Sequence, residues 1–247
     1  MMRLVEALDA NDGVVSVVGA GGKKSTMYRL AEELDSPLLT STVRIPIFDP
    51  HVARVLVTED PVGEFSREPS LEWPLGVVPA REGSDRYRGY DPSVVDALAT
   101  LETVQTVLVK ADGARMRKFK APGEHEPRIP ASSTVVVPVV SAHVIGESLD
   151  DERVHRVEQV CRLTGLTPGE PLTPSAIAAI IVSEEGGRKD VPVDAHVIPV
   201  INMVDDCERE WRAREVATEI LDRGAIDRVV LTRLTAEAPV VDVLERD

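Results

Sequence analysis

One stretch limits the folds open to this chain more than any other: Val14-Val15-Ser16-Val17-Val18-Gly19-Ala20-Gly21-Gly22-Lys23-Lys24-Ser25-Thr26. Its valine-rich opening reads as a buried strand. Met27, Leu30, Ala31 and Leu34 then recur at helical spacing. Strand, glycine turn, lysine, hydroxyl, helix is the layout of a phosphate-binding loop. Glycines let the backbone approach phosphate oxygens and aim N–H groups at them. The helix N-terminus adds partial positive charge. A lysine neutralises the outer phosphates, and a hydroxyl ligates Mg²⁺. Gly19, Ala20, Gly21, Gly22, Lys23, Lys24, Ser25 and Thr26 are therefore the phosphate-binding candidates. The pattern G-x-x-x-x-G-K-[ST] is incomplete, because its first glycine falls on Val17 or Val18. A glycine-rich turn with solvated lysines is the plainer alternative.

A chain of 247 residues with 43% apolar content can bury a large core. Such a strand–turn–helix start predicts an α/β fold in three layers, a mostly parallel sheet flanked by helices, of P-loop NTPase-like type. One domain over 1–247 is expected, with a small helical insertion at about 145–190. The net charge of −14 argues against nucleic acid or an anionic membrane as partner. Lysines are few, and five of the six (Lys23, Lys24, Lys110, Lys118, Lys120) sit in two short glycine-containing segments. Cys161 and Cys207 lie far apart, outside any C-x-x-C pattern, which suits a reduced compartment. Neither a membrane-length apolar run nor an apolar signal core is present, so a cytoplasmic location is expected.

Taken in order, Met1–Asp12 reads as a short helix, and Pro37–Thr42 as a second strand ending in hydroxyls. Strand C-terminal ends in such sheets face ligands, so Thr42 is a metal-ligand candidate. Hydroxyls at strand ends are also ordinary, and both readings stand. Val52–Thr58 is a strand, Glu59–Pro74 an exposed helix or loop, and Leu75–Pro79 a weaker strand. Asp91-Pro92 is a helix start, with Asp as N-cap and Pro in the first turn.

A second dense segment follows. Val104–Val109 is a strand running into Lys110-Ala111-Asp112-Gly113, then Arg115, Lys118, Lys120 and the Pro-marked loop containing His125 and Glu126. An acid after a buried strand is where P-loop enzymes hold Mg²⁺. Asp112 is accordingly a catalytic and metal candidate beside Ser25 and Thr42. Arg115 or Lys118 would stabilise a transferring phosphoryl group, and His125 or Glu126 would orient water. A plain turn and a solvated charge run are the alternatives. Ser133–Val140 reads as a strand ended or interrupted at Pro138. Ala195–Ile201 is a strand leading to Asn202-Met203-Val204-Asp205, whose N-x-x-D spacing suits a guanine-reading pair of Asn202 and Asp205.

These segments together resemble the accessory proteins of selenium-dependent molybdenum hydroxylases (the YqeC type). The resemblance is carried by Val18–Lys23, Thr40–Thr42, the Ala111-Asp112-Gly113 to Lys120-Ala121-Pro122 and Glu124–Pro127 block, Ile129-Pro130, His155-Arg156 with Glu158, and Val200–Asp205. It implies a P-loop-like fold that binds a nucleoside triphosphate, GTP or ATP, with Mg²⁺. It further implies a role in maturing a molybdenum hydroxylase, in contact with that enzyme or its cofactor-insertion machinery. Three departures stand out. Lys24 replaces the family's usual Thr, Lys110 replaces a frequent Glu, and Met203 replaces a polar residue. The competing expectation is a carrier that holds a phosphorylated ligand, such as a molybdopterin cofactor, without hydrolysis.

Overall fold

The computed structural model describes residues 2–67 and 71–246. Ten strands form the main sheet: β1 (Gly13–Gly19), β2 (Pro37–Ser41), β3 (Arg54–Val57), β4 (Leu75–Val78), β5 (Thr106–Lys110), β6 (Ser133–Ser141), β7 (His196–Val197), β8 (Val200–Asn202), β9 (Arg228–Thr232) and β10 (Val240–Glu245). Their order is β10-β9-β8-β6-β1-β5-β2-β4-β3, with β7 also pairing β6. Every pairing is parallel except β9 with β10. Seven helices accompany it among the described residues: α1 (Leu4–Ala7), α2 (Lys23–Glu33), α3 (Pro61–Arg67), α4 (Pro92–Leu98), α5 (Val157–Thr164), α6 (Pro174–Val182) and α7 (Cys207–Asp222).

Alternation along the strands decides the layers. Val15 and Val17 of β1 pack with Leu4 of α1, with Leu8 just beyond it, and with Met27 and Leu30 of α2. Val14, one step out of phase, packs with Val95 and Leu98 of α4 on the opposite face. The same face carries α6 and α7, where Ile177, Ile180, Val216 and Ile220 meet Ile201 and Leu231. Strands buried on both faces explain the near-continuous valine runs. The fold is thus α/β in three layers with a mostly parallel sheet.

Most expected elements form. Asp91 caps α4 by accepting from the Ser93 N–H, with Pro92 next. Of the polar stretch Glu59–Pro74, Pro61–Arg67 is helical, and residues 68–70 lie outside the described residues. Pro138 does not end its strand: β6 runs through it to Ser141. The reason is local. Val135 and Val136 pair with β7, while Val139–Ser141 pair with β8, so Pro138 falls opposite the break between those two short strands. A missing N–H costs little there.

Chain order sets the site. From β1 the chain passes to β2 on one side, returns to β5 beside β1, and then crosses to β6 on the other side. The direction of winding reverses at β1, and sheets of this kind place their ligands at such a reversal, outside the strand C-termini. Gly19–Gly22, Asp112 and Ser141 all lie at that end.

Candidate functional site

The glycine turn is held open by its own chain. Gly19 N–H donates to Asp112 Oδ2 at 2.8 Å, and Ala20 N–H donates to Val139 O at 2.7 Å. Gly21 has φ 95°, and a Cβ there would meet Ser141 N at 2.6 Å and Lys118 O at 2.8 Å. At Gly22, φ 145°, a Cβ would run into the Asn202 amide. Both positions therefore require glycine because protein atoms already press on them. After Ala20 the bonding stops: among the described residues, the backbone N–H groups of Gly21, Gly22, Lys23, Lys24 and Ser25 have no acceptor. Gly22 caps α2 without a side chain, and no acid lies in the first turn. Five consecutive open donors at a helix start form a cradle for an anion.

Beneath this turn runs a chain of buried charges. Lys23, only 6% exposed, turns inward: its Nζ donates to Gly19 O and lies 2.5 Å from Asp112 Oδ1. That approach falls outside hydrogen-bond geometry, so Oδ1 has the ion pair alone. Asp112, 2% exposed, also faces Lys120 Nζ at 2.9 Å through Oδ2. Lys120 donates to Gly113 O at 2.6 Å and reaches Glu126 Oε2 at 3.0 Å, and Arg156 Nη2 closes the chain on Glu126 at 2.9 Å. Burial would push Asp112 up, but Lys23 and Lys120 outweigh it and hold the carboxyl below its ordinary value. Burial dominates at Lys23 and lowers its ammonium, against the pull of Asp112. Lys110 sits on the sheet face that α2 covers, as its strand-mate Leu108 does. Its Nζ donates to Arg44 O at 2.9 Å, and burial, with Lys23 adding to it, lowers its pKa to about 7.

Several expected residues do other work. Ser25 is exposed on α2, and among the described residues no hydrogen bond joins it to Asp112. Gly22 starts the helix, and this register sends Lys23 inward while Lys24 takes the place the phosphate-loop pattern gives to a hydroxyl. Thr26 Oγ1 donates to Gly22 O at 3.2 Å, an intrahelical bond. Thr42 Oγ1 donates to Arg128 O at 2.6 Å. Asn202 is buried: its amide donates to Gly21 O at 2.9 Å, and its carbonyl accepts from Thr232 Oγ1 at 3.1 Å. It holds the glycine turn. Asp205 accepts from His143 Nε2 at 2.7 Å. Arg115 is exposed, His125 is 92% exposed beside Glu124, and Glu126 is tied into the charge chain.

Two groups invisible to sequence spacing join the site. His143, two residues beyond β6, lies between Lys118 and Asp205. Lys118 Nζ donates to His143 Nδ1 at 3.0 Å, which leaves the ring proton on Nε2 facing Asp205. Lys189 Nζ donates to Gly123 O, Glu124 O and Glu126 O at 2.7, 2.9 and 2.8 Å, which fixes the loop that presents Glu126. Their partners stand 25 to 66 residues away, beyond any local motif.

Asp112, Ser25 and Thr42 do not fit a Mg²⁺ ion. Asp112 is bracketed by two ammonium groups and an N–H, Thr42 spends its proton on a carbonyl, and Ser25 is exposed on α2. Among the described residues, no three His, Cys, Asp or Glu side chains converge as a metal site. Nor is any described helix long and apolar enough to cross a membrane.

A family model described as YqeC protein matches residues 15–158, which span the glycine turn, the Asp112–Pro127 block and Arg156. A relative from Escherichia coli (strain K12), uncharacterized protein YqeC, is 36% identical over 203 residues, covering 79% of this chain and 77% of the relative. No solved structure matches.

Proposed function

This chain belongs to the YqeC family, and on that premise we propose that it holds the phosphate groups of a phosphorylated ligand on the Gly21–Ser25 turn. The ligand class is a nucleoside triphosphate, GTP or ATP, or a phosphorylated cofactor of molybdopterin type. The cellular role is maturation of a selenium-dependent molybdenum hydroxylase. One observation carries the proposal: five adjacent backbone donors stay open at the start of an uncapped helix, at the sheet's winding reversal. Lys24 supports it, being half-buried beside those donors with no ion-pair partner among the described residues.

Holding is favoured over hydrolysis by a second observation. The groups needed for turnover do not converge: Arg115 and His125 face solvent, and both oxygens of Glu126 are engaged, by Gly113 N–H and by Lys120 with Arg156. Phosphoryl transfer depends almost wholly on positioned charge, and these charges are positioned on one another.

The test is a titration of the ¹⁵N-labelled chain with GTP, ATP and pyrophosphate, followed through the amide resonances. The Gly21–Ser25 amides are expected to move first and furthest, and Lys24→Ala to weaken binding about tenfold, the worth of one lysine–phosphate contact. Shifts confined to other parts of the chain would sink the proposal. The cellular role is tested by deleting the gene and assaying the hydroxylase: inactive enzyme lacking its cofactor, unrescued by Lys24→Ala, is expected, whereas fully active enzyme would remove that role.

A further inference from the structure

We infer that this site takes its anion free of divalent metal, with lysine ammonium groups supplying the countercharge a metal would bring. The inference rests on the phosphate proposal above and narrows its ligand class to the free polyanion rather than its Mg²⁺ complex.

The donor set points this way from both sides. Mg²⁺ demands hard oxygen ligands in near-octahedral array, and the three residues positioned in sequence to give them do not. Asp112 has Lys23 Nζ at 2.5 Å on one oxygen, and Lys120 Nζ at 2.9 Å and the Gly19 N–H at 2.8 Å on the other. Ser25 is exposed, and Thr42 is bonded to Arg128 O. A metal would have to evict two buried ammonium groups to reach the carboxylate.

Cations, meanwhile, stand where the metal and its ligands would be. Lys24 takes the hydroxyl position after the inward lysine. Lys110 lies on the face beneath α2, and among the described residues the Arg44 carbonyl is the one hydrogen-bond partner of its Nζ. Lys118, whose backbone carbonyl abuts Gly21, has an imidazole nitrogen rather than a carboxylate as its side-chain partner. Five of the chain's six lysines thus stand on or near the turn, against the carboxylates of Asp112, Glu126 and Asp205, in a protein whose formal net charge is −14. A polyphosphate that arrives with its own Mg²⁺ presents less negative charge to these groups and adds a repelled dication.

Calorimetric titration of the full chain with GTP, ATP and tripolyphosphate decides it, first in EDTA and then with millimolar MgCl₂. Binding in EDTA at least as tight as with Mg²⁺ is the expected result. Lys110→Met should weaken the EDTA titration by about tenfold, and Lys110→Glu should weaken it further while gaining binding when Mg²⁺ is added. Thermal melts establish that each variant folds. If neither does, the wild-type comparison stands alone as the test. Wild-type binding that needs Mg²⁺ by tenfold or more overturns the inference and leaves the phosphate proposal intact. Absence of binding in both buffers overturns the two together.

Discussion

Two helices begin at the same end of the sheet, each after a parallel strand, and they begin in opposite ways. α7 follows β8 with Asp206 as N-cap: the carboxylate accepts from Arg209 N–H at 2.9 Å, and Glu208 and Glu210 fill the first turn. Its dipole is satisfied from within. α2 follows β1 with Gly22 as N-cap, no acid in its first turn, and two lysines at its start. The chain knows how to close a helix start and does so at α7. At α2 it leaves five donors open and concentrates positive charge beneath them. An uncapped start costs stability unless something else supplies the anion, and the phosphate proposal rests on that contrast.

The largest way to break the comparison is Lys23→Met. It leaves Asp112 buried with Lys120 as its one ammonium partner, and removing half of a buried pair costs about 3 kcal/mol, read from urea denaturation. Gly21→Ala should cost about 2–3 kcal/mol, since it combines a positive φ with a Cβ pressed on backbone atoms of residues 118 and 141. Gly165→Ala is its control: the φ is 76° but no atom beyond the adjoining residues lies within 4 Å of the added Cβ, so the cost should stay near 1 kcal/mol. Equal losses would mean that contact pressure on the turn is not what demands glycine there.

Asp206→Ala should cost about 1 kcal/mol by uncapping α7 and should leave phosphate binding untouched. Lys24→Met sharpens the contrast from the other side: stability should hold within about 0.5 kcal/mol while phosphate affinity falls. A stability loss like that of Asp206→Ala would make Lys24 a structural residue.

The last expected effect is electrostatic and confined to a pH window. Burial, with Arg156, Lys120 and Arg115 adding to it, lowers the pKa of His155 from 6.5 to about 4. The unfolded chain therefore binds this proton more readily than the folded one, and stability falls as pH drops from about 6.5 towards 4. His155→Gln should flatten the stability profile in that window. An unchanged profile would show that His155 does not sense those cations.

The sequence made the turn plain because its information is local: glycines, lysines and a helical repeat in one run, now seen as β1 and α2. The strands around it were legible from valine alternation. Less legible was which lysine turns inward, since that depends on where α2 starts; a start at Gly22 sends Lys23 in and Ser25 out. Asn202 and Asp205 looked like a base-reading pair because spacing reveals only that two residues share a strand end. Their partners, Gly21, Thr232 and His143, come from three other parts of the chain. The same distance hid Lys189 and the Lys118–His143 contact.

Asn202 also makes the turn part of a mechanical linkage. One amide group grips Gly21 O with its nitrogen and Thr232 Oγ1 with its oxygen, so β1's turn and β9 are fastened to β8 at a single point. A ligand that shifts the glycine turn must carry this amide with it or break it. Occupancy of the cradle would then be felt at Thr232 and at Leu234, whose N–H also donates to the Asn202 carbonyl at 3.4 Å, on the rim where the sheet's last parallel strand ends.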